Sequence, residues 1–539
     1  MDDALQNRIT KYVNPEHPLG PADAHLIKDE EVAFHLFDPH NESFNLLLRK
    51  NISVVIGRRG SGKTALLNNY LYRSHFQKTR RSRALDDINF DLNDYSVVIP
   101  VIGNRLFEQM QSQVSGPSGL LRPIESVIED WAALIIDYLL VNVLTQERGK
   151  HTHDGNIETI EKYVSAPDII KKVEAHRLIF GQTMFEFVKT IWSTKPQTSG
   201  TFPSRENALR ALVSYLSSRK TRAIVIFDSM DEYEVGNAKI DRIVGALLRF
   251  VGQFNFEHDR VKIKLGLPSE IFPEIQRASA NPLKDFVSYE QLRWTATELA
   301  QIAAYRYRLF LEIFDPNYYP EVASIDLNSR EGARRFWDKF FTERQVNRYG
   351  HQESAMTYML RHTQLLPRQL FRILQRVIVS SQRRTGGYRL LTREAVVESI
   401  ESMEPIIAGE IIQGFKHVYP PAESLGRAIF GNFPTLFSYD QLEMRWRRVG
   451  RAMMRELDPT FELVHFTEML LRMGIMGVKE SETERYLEGK FAYNMLMPFS
   501  IGAKLLFVIH PIFSRYFGCA ENEQRKSILP QGTALDAVR

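Results

Sequence analysis

The chain has a single cysteine, Cys519. That excludes an internal disulfide and a cysteine-rich zinc site, and it suits a reducing compartment. Long apolar runs are missing. The most hydrophobic stretch, Trp131 to Leu144, contains Asp137 and Asn142. It falls short of the roughly 20 residues a membrane helix needs, so it reads as a buried helix and no membrane partner is expected. The opening Met-Asp-Asp-Ala-Leu-Gln is acidic and polar, so no secretory signal is expected and a cytoplasmic location is. Neither sign of charge dominates: 69 Lys and Arg stand against 65 Asp and Glu, a net charge of +4. A chain-wide basic field for nucleic acid is therefore missing. There is no internal repeat, low-complexity tract or Gly-x-Ser-x-Gly element. His151 and His153 lack a Cys or carboxylate partner at metal spacing, so no zinc is expected. What is left is ordinary globular composition, 44% hydrophobic and 25% charged over 539 residues.

Against that background one octapeptide dominates: Gly57-Arg58-Arg59-Gly60-Ser61-Gly62-Lys63-Thr64. It fits G-x-x-x-x-G-K-[ST], the phosphate-binding P-loop. Asn51 to Ile56 before it reads as a buried strand, and Ala65 to Leu71 after it as the start of a helix. Strand, loop and helix in that order let backbone N–H groups and a helix N-terminus converge on phosphate oxygens. Glycines admit the ligand without a Cβ clash. Lys63 is placed for the β- and γ-phosphates and the Thr64 hydroxyl for one Mg²⁺ position. The whole octapeptide, Gly57 through Thr64, and Ala65 are the expected nucleotide contacts. ATP and Mg²⁺ are the expected cofactors.

A second anchor is Ala223 to Phe227, an apolar strand ending in Asp228. Asp228 there would hold Mg²⁺ beside Thr64. Asp231 and Glu232 follow, and either could orient and deprotonate an attacking water. Two further strands are expected. Ser96 to Ile102 carries Pro100, the mark of an edge or a bulge. Val261 to Leu267 is expected beside the P-loop strand, with Ser269 and Glu270 at its tip as candidate sensors of the γ-phosphate. Residues 104–220 read as a helical insertion.

Thr295 to Glu298 has the pattern of a capping box opening a helix. Pro367 suits the first position of another, with Leu370, Ile373, Leu374 and Val377 as its apolar stripe and Arg368, Arg372 and Arg376 on another face. Thr385-Gly386-Gly387 marks a boundary. Beyond it, Thr392 to Ile400 is expected as a short helix. Leu442, Trp446, Val449 and Met453 form the stripe of another, with Arg448, Arg451 and Arg455 on its far side. Phe461 to Met473 is a third, closed by Gly474. Tyr486 to Met497 and Lys504 to His510 are expected to pair as strands.

Asp228-x-x-Asp231-Glu232 after an apolar strand resembles the Walker B motif of STAND and KAP-type signalling ATPases, a branch close to AAA+. More narrowly, the chain resembles a bacterial family of cytosolic P-loop ATPases. The resembling segments are Val54 to Leu66, Asp228 to Glu232, Leu267 to Phe272, and Thr363-x-x-x-Pro367-Arg368-Gln369-Leu370. Where that family often carries an arginine, this chain has Pro268. The resemblance implies that Arg368 is the sensor arginine of a helical lid and that the C-terminal part is a winged helix. It implies a nucleotide switch in bacterial antiphage defence, acting on a separately encoded effector.

The expected architecture is α/β. An N-terminal segment (1–50) precedes a three-layer P-loop NTPase core with a parallel sheet (51–290) that holds the insertion. A helical lid (291–389) and a winged-helix-like domain (390–539) follow. The expected function is an ATP-hydrolysing switch; the alternative is a DNA-associated, initiator- or loader-like ATPase. Self-association and DNA contact through 390–539 stay open.

Overall fold

The computed structural model describes residues 3–36, 53–67, 95–99, 110, 114, 121–147, 154–194, 202–228, 237–278, 289–494 and 505–535. Asp231, Glu232, Pro100, His151 and His153 lie outside the described residues. So do 68–71, expected to continue the P-loop helix. The chain divides into two compact units. One comprises Glu42–Gly57 and Lys63–Leu292. The other comprises Met1–Asn41, Arg58–Gly62 and Arg293–Arg539. The division runs inside the P-loop octapeptide.

The first unit is built on a parallel sheet of β1 (Val54–Gly57), β2 (Tyr95–Ile99), β3 (Ala223–Phe227), β4 (Val261–Pro268) and β5 (Tyr289–Gln291). Among the described residues the order is β2-β3-β4-β1-β5. β1 and β3 are buried along their whole length. Parallel strands covered on both faces read as continuous apolar runs, which is why these segments stood out in the sequence. β4 lies beside β1, as expected, with Val54 opposite Leu265 and Gly57 opposite Pro268. β2 is the edge on the other side. Helix Ile124–Glu147 packs on β2 and helix Ala238–Glu257 on β4. The two are joined where the Trp131 indole N–H donates to the Ile243 carbonyl at 2.9 Å.

Within the expected insertion the described residues are helical: Ile124–Glu147, Gly155–Val164, Pro167–Ala175, Arg177–Thr194 and Arg205–Ser218. Asp137 interrupts the apolar face of the first of these and is itself buried. It accepts from the Tyr163 hydroxyl at 2.6 Å and from Arg205 Nε at 3.0 Å. A buried carboxylate is tolerated only when so paired. Here it ties helices 155–164 and 205–218 to helix 124–147. No described helix is long and apolar enough to cross a membrane.

Among the described residues the second unit has a large apolar core with members from Leu5 to Leu535, beside a smaller cluster of Leu487, Phe491, Val508 and Ile528. The stretches expected as an N-terminal segment, a lid and a C-terminal domain all contribute to the large core. Helix Ala296–Phe314 opens with the expected capping box, Thr295 and Glu298 bonding reciprocally. Its Arg306 is buried. Its guanidinium donates to the carbonyls of Leu36 (2.9 Å), Leu19 and Pro21 (both 3.2 Å), so it fastens residues 19–36 to this helix. Helix Pro367–Thr385 starts at Pro367 and ends on Gly386 at φ +75°. Leu370, Ile373, Leu374 and Val377 are fully buried. A small antiparallel pair, β6 (Gln345–Val346) and β7 (Gln352–Glu353), interrupts the otherwise helical interval before it.

Three C-terminal expectations are corrected. The short helix at Thr392 to Ile400 extends over Arg393–Gly414, through Pro405. The second stripe shifts register: the turn Trp446–Gly450 is a π-turn, which inserts one extra residue. The buried positions after Trp446 are therefore Gly450 and Met454, not Val449 and Met453. Gly450 is required there, because a Cβ would come within 2.3 Å of the Trp446 ring. Third, β10 (Tyr486–Lys490) and β11 (Leu506–Ile509) do not pair with each other. Both pair with β9 (Met476–Glu482), giving the order β12-β10-β9-β11-β8 with β8 (Leu436–Ser438) and β12 (Ser527–Pro530) outside. The polar half of β9 hid it in the sequence. Helix Leu463–Met473 does end on Gly474, at φ +69°.

Candidate nucleotide site

The octapeptide begins where β1 ends. Gly60 and Gly62 have φ of +83° and +89°, values that L side chains rarely adopt, so the loop as folded requires glycine at both. Helix begins at Lys63 and takes in Thr64 and Ala65. Within the sheet unit, Lys63 Nζ donates to the Gly57 carbonyl at 2.8 Å, which folds the lysine back along the loop. Gly57 also accepts from the backbone N–H of Ser269 at 3.1 Å. The residue read as a candidate sensor thus lies at the end of β1. Its neighbour Glu270 is buried.

Asp228 follows directly on β3. A Cβ on Gly266, in the middle of β4, would meet Asp228 Oδ1 at 2.6 Å and Leu67 at 3.0 Å. The carboxylate therefore leans across β4 toward the first turns of the helix that leaves the loop. Only a glycine leaves room for it. Glycine inside a buried strand often marks such a close approach. That signal was in the sequence at Gly266 and went unread. Two residues earlier, Lys264 is buried. Burial, then the charges of Arg222 and Lys262, push its ammonium down to about 7.

Residues 58–62 are held within the second unit. The Trp294 indole N–H donates to the Ser61 carbonyl at 2.7 Å. The Arg368 backbone N–H approaches the Gly60 carbonyl at 3.4 Å. A Cβ on Gly60 would sit 3.0 Å from that of Arg368. Arg368, expected to reach the nucleotide from a lid, thus lies against the loop itself, and its guanidinium pairs with Asp23. Arg372 pairs with Asp23 as well, at 3.5 Å, and with Glu410. Asp23 and Trp294 carried no motif and were not anticipated.

Arg58 departs from expectation. Its guanidinium is not presented by the loop but committed to the second unit. It donates to Gln364 Oε1 and, at 3.0 Å, to the Arg472 carbonyl. Arg59 is partly exposed. Asp231 and Glu232, the two candidate bases, lie outside the described residues.

The residues present fit a magnesium-bound nucleoside triphosphate. The Ser61 hydroxyl is buried and has no hydrogen-bond partner among the described residues, inside a loop whose two glycines keep Cβ atoms away. A polar ligand seated in the loop would satisfy that hydroxyl. Thr64 and Asp228 supply the hard oxygen donors that Mg²⁺ prefers.

No protein-family model and no curated protein matches the chain. Among solved structures it is similar to the ORC2 protein of Aeropyrum pernix in its ADPNP-ADP complexes. The identity is 11% over 90% of this chain and 92% of that one, with a TM-score of 0.36. It is similar to the Cdc6p of Pyrobaculum aerophilum at 11% identity, covering 86% and 87%, TM-score 0.25. It is similar to the ORC1 protein of Aeropyrum pernix in complex with DNA at 12% identity, covering 83% and 88%, TM-score 0.28. At such scores these likenesses assign the chain to no family.

Proposed function

We propose that the chain binds ATP with Mg²⁺ and hydrolyses it as a conformational switch. The observation that carries this reading is the loop after β1: two left-handed glycines, an orphaned Ser61 hydroxyl and a helix opening at Lys63. Lys63 would hold the β- and γ-phosphates, with backbone N–H groups of the loop beside it. Thr64 and Asp228 would hold Mg²⁺, which when bound neutralises phosphate charge as the γ-phosphoryl leaves. Glu232 or Asp231 would take the proton of the attacking water. Arg368 would report the γ-phosphate by exchanging Asp23 for it.

The test is hydrolysis by the full chain. Asp228→Asn should reduce Mg²⁺-dependent turnover at least about tenfold, the scale of one lost charged contact. Glu232→Gln, or otherwise Asp231→Asn, should abolish turnover with ATP affinity retained. Arg368→Ala should weaken ATP binding more than ADP binding. Wild-type turnover in both the Glu232 and Asp231 variants would mean that the base lies elsewhere, and a wild type without turnover would remove the hydrolytic reading. Equal losses of ATP and ADP in the Arg368 variant would leave that residue a structural one.

One observation supports DNA as what the switch acts on. Arg448, Arg451 and Arg455 are exposed on one helical stretch and carry no ion pair among the described residues. The elements after them, helix 463–473 and the β9–β10 hairpin, follow the order of a winged helix. Arg451→Glu with Arg455→Glu should weaken duplex DNA binding and flatten its log–log salt slope by about 2. DNA binding that is undiminished and equally salt-dependent in that variant would sink the idea. The separately encoded effector, self-association and the defence role rest on the family resemblance alone.

A further inference from the structure

Arg58 is buried, and it sits in the loop one residue after β1. Its guanidinium donates to Gln364 Oε1 and to the Arg472 carbonyl at 3.0 Å, and lies 5.6 Å from the Tyr493 ring centroid and 5.7 Å from that of Phe415. Gln364 uses the other end of its amide. Its Nε2 donates to the Met473 carbonyl at 2.9 Å, with the Gly474 carbonyl at 3.4 Å. One amide therefore joins a phosphate-loop arginine to the C-terminal end of helix 463–473. The last carbonyls of a helix have no partner in the helix and carry partial negative charge, so a cation and an amide donor are well matched there.

The turn that presents Gln364 is fixed from several sides. Its backbone N–H donates to Gln369 Oε1 at 2.7 Å, and the Thr363 hydroxyl donates to the Leu360 carbonyl at 2.7 Å. The next residue, Leu365, has φ +52°, a strained value for a leucine. Such strain persists only where surrounding contacts over-determine it, and it is a common mark of functional segments. Gly474 leaves no slack either: a Cβ there would fall 2.7 Å from Gln364 Nε2. His510, also buried, is held well below its usual range, by burial first and then by His362 and Arg58, so it adds no second cation beside the guanidinium.

We propose that Gln364 is a positioning residue that locks the phosphate loop, through Arg58, to the end of helix 463–473. This rests on the ATP reading for its consequence: nucleotide affinity depends on where that helix end sits. By linkage the dependence runs both ways, so nucleotide in the loop steadies the helix end.

The experiment is hydrogen exchange of the full chain with and without Mg²⁺–ATP, joined to a double-substitution cycle. In the wild type, ATP slows exchange at residues 471–476. In Gln364→Leu, which keeps the volume but loses the hydrogen bonds to Arg58 and to the Met473 and Gly474 carbonyls, ATP binds about tenfold more weakly and exchange at 471–476 no longer responds. Gln364→Glu, which offers Arg58 a carboxylate but turns an acceptor in place of the amide donor toward the Met473 carbonyl, restores neither. In melting experiments without nucleotide, Arg58→Met and Gln364→Leu together cost clearly less than the sum of their separate effects. Additive losses, or an ATP response at 471–476 that survives Gln364→Leu, overturn the proposal. Non-additive melting in a wild type that binds no ATP would uphold the lock and remove the ATP reading instead.

Discussion

Lys63→Ala is expected to weaken ATP and ADP binding by about 100-fold, the loss of one well-placed charged contact to phosphate. Lys63 is the cation at the end of the loop, and its Nζ already lies along the backbone at the Gly57 carbonyl. A hydrogen bond from a charged donor contributes about 1.5–3 kcal/mol, so affinities are compared at a temperature where melting curves show both proteins folded. Titration of labelled ATP and ADP, with and without Mg²⁺, checks the binding. Unchanged affinity for both nucleotides would remove the phosphate site from this loop, and the proposals about Asp228, Arg368 and Gln364 would lose their ligand with it.

Glu353→Gln should produce the largest loss of stability. Glu353 on β7 accepts from Arg361 twice, at 3.1 Å from Nε and 3.1 Å from Nη2. The two side chains are 2% and 7% exposed. The guanidinium also lies over the Tyr358 ring, 4.6 Å from its centroid. Glutamine preserves the shape and removes the charge, leaving a buried cation unmatched. Breaking such a pair costs about 3–5 kcal/mol. For a unit of this size the melting temperature should fall by about 10 °C. Replacing both partners, Glu353→Leu with Arg361→Met, should recover most of that, since neither charge is then buried. If the single substitution leaves the melting curve in place, the pair is solvated in solution and the packing of β6 and β7 differs from that described.

The site was legible in the sequence to the extent that its chemistry is local. A phosphate loop needs its glycines, lysine and threonine at fixed spacing, because consecutive backbone N–H groups must point at one ligand. That spacing is visible at residues 57–64, and the apolar runs of β1, β3 and β4 are visible because both faces of a parallel sheet are covered. The caps at Thr295, Pro367 and Gly474 were readable for the same reason: each acts within four residues of itself. The partners of the loop were not readable. Asp23, Trp294, Gln364 and Arg472 belong to no motif, and each is far from residue 60 along the chain. Arg58 is the sharpest case. In the octapeptide it occupies a variable position and invites a phosphate contact, yet it serves the other end of the chain.

In the C-terminal region the failures have two causes. One extra residue in the turn at Trp446–Gly450 moved the buried face by one position, and helical periodicity cannot register a π-turn in advance. β9 went unread because only its first residues are buried, while Lys479, Glu480, Ser481 and Glu482 carry its polar half. Without β9, the two apolar stretches on either side of it seemed to pair directly.

The sequence by itself determined the parallel α/β core around the glycine-rich loop at 57–64, the adjacency of β1 and β4, the helix starts and stops set by caps, and the residue types at the loop. These follow from contacts a few residues long or from burial patterns within one element. Only the tertiary structure decided that 58–62 are clamped by Trp294, Arg368 and Gln364, that Asp228 leans across Gly266, and that residues 3–36 share a core with 293–535. Those contacts join residues tens to hundreds of positions apart. Their energy depends on shape and on paired polar groups, which no spacing along the chain encodes.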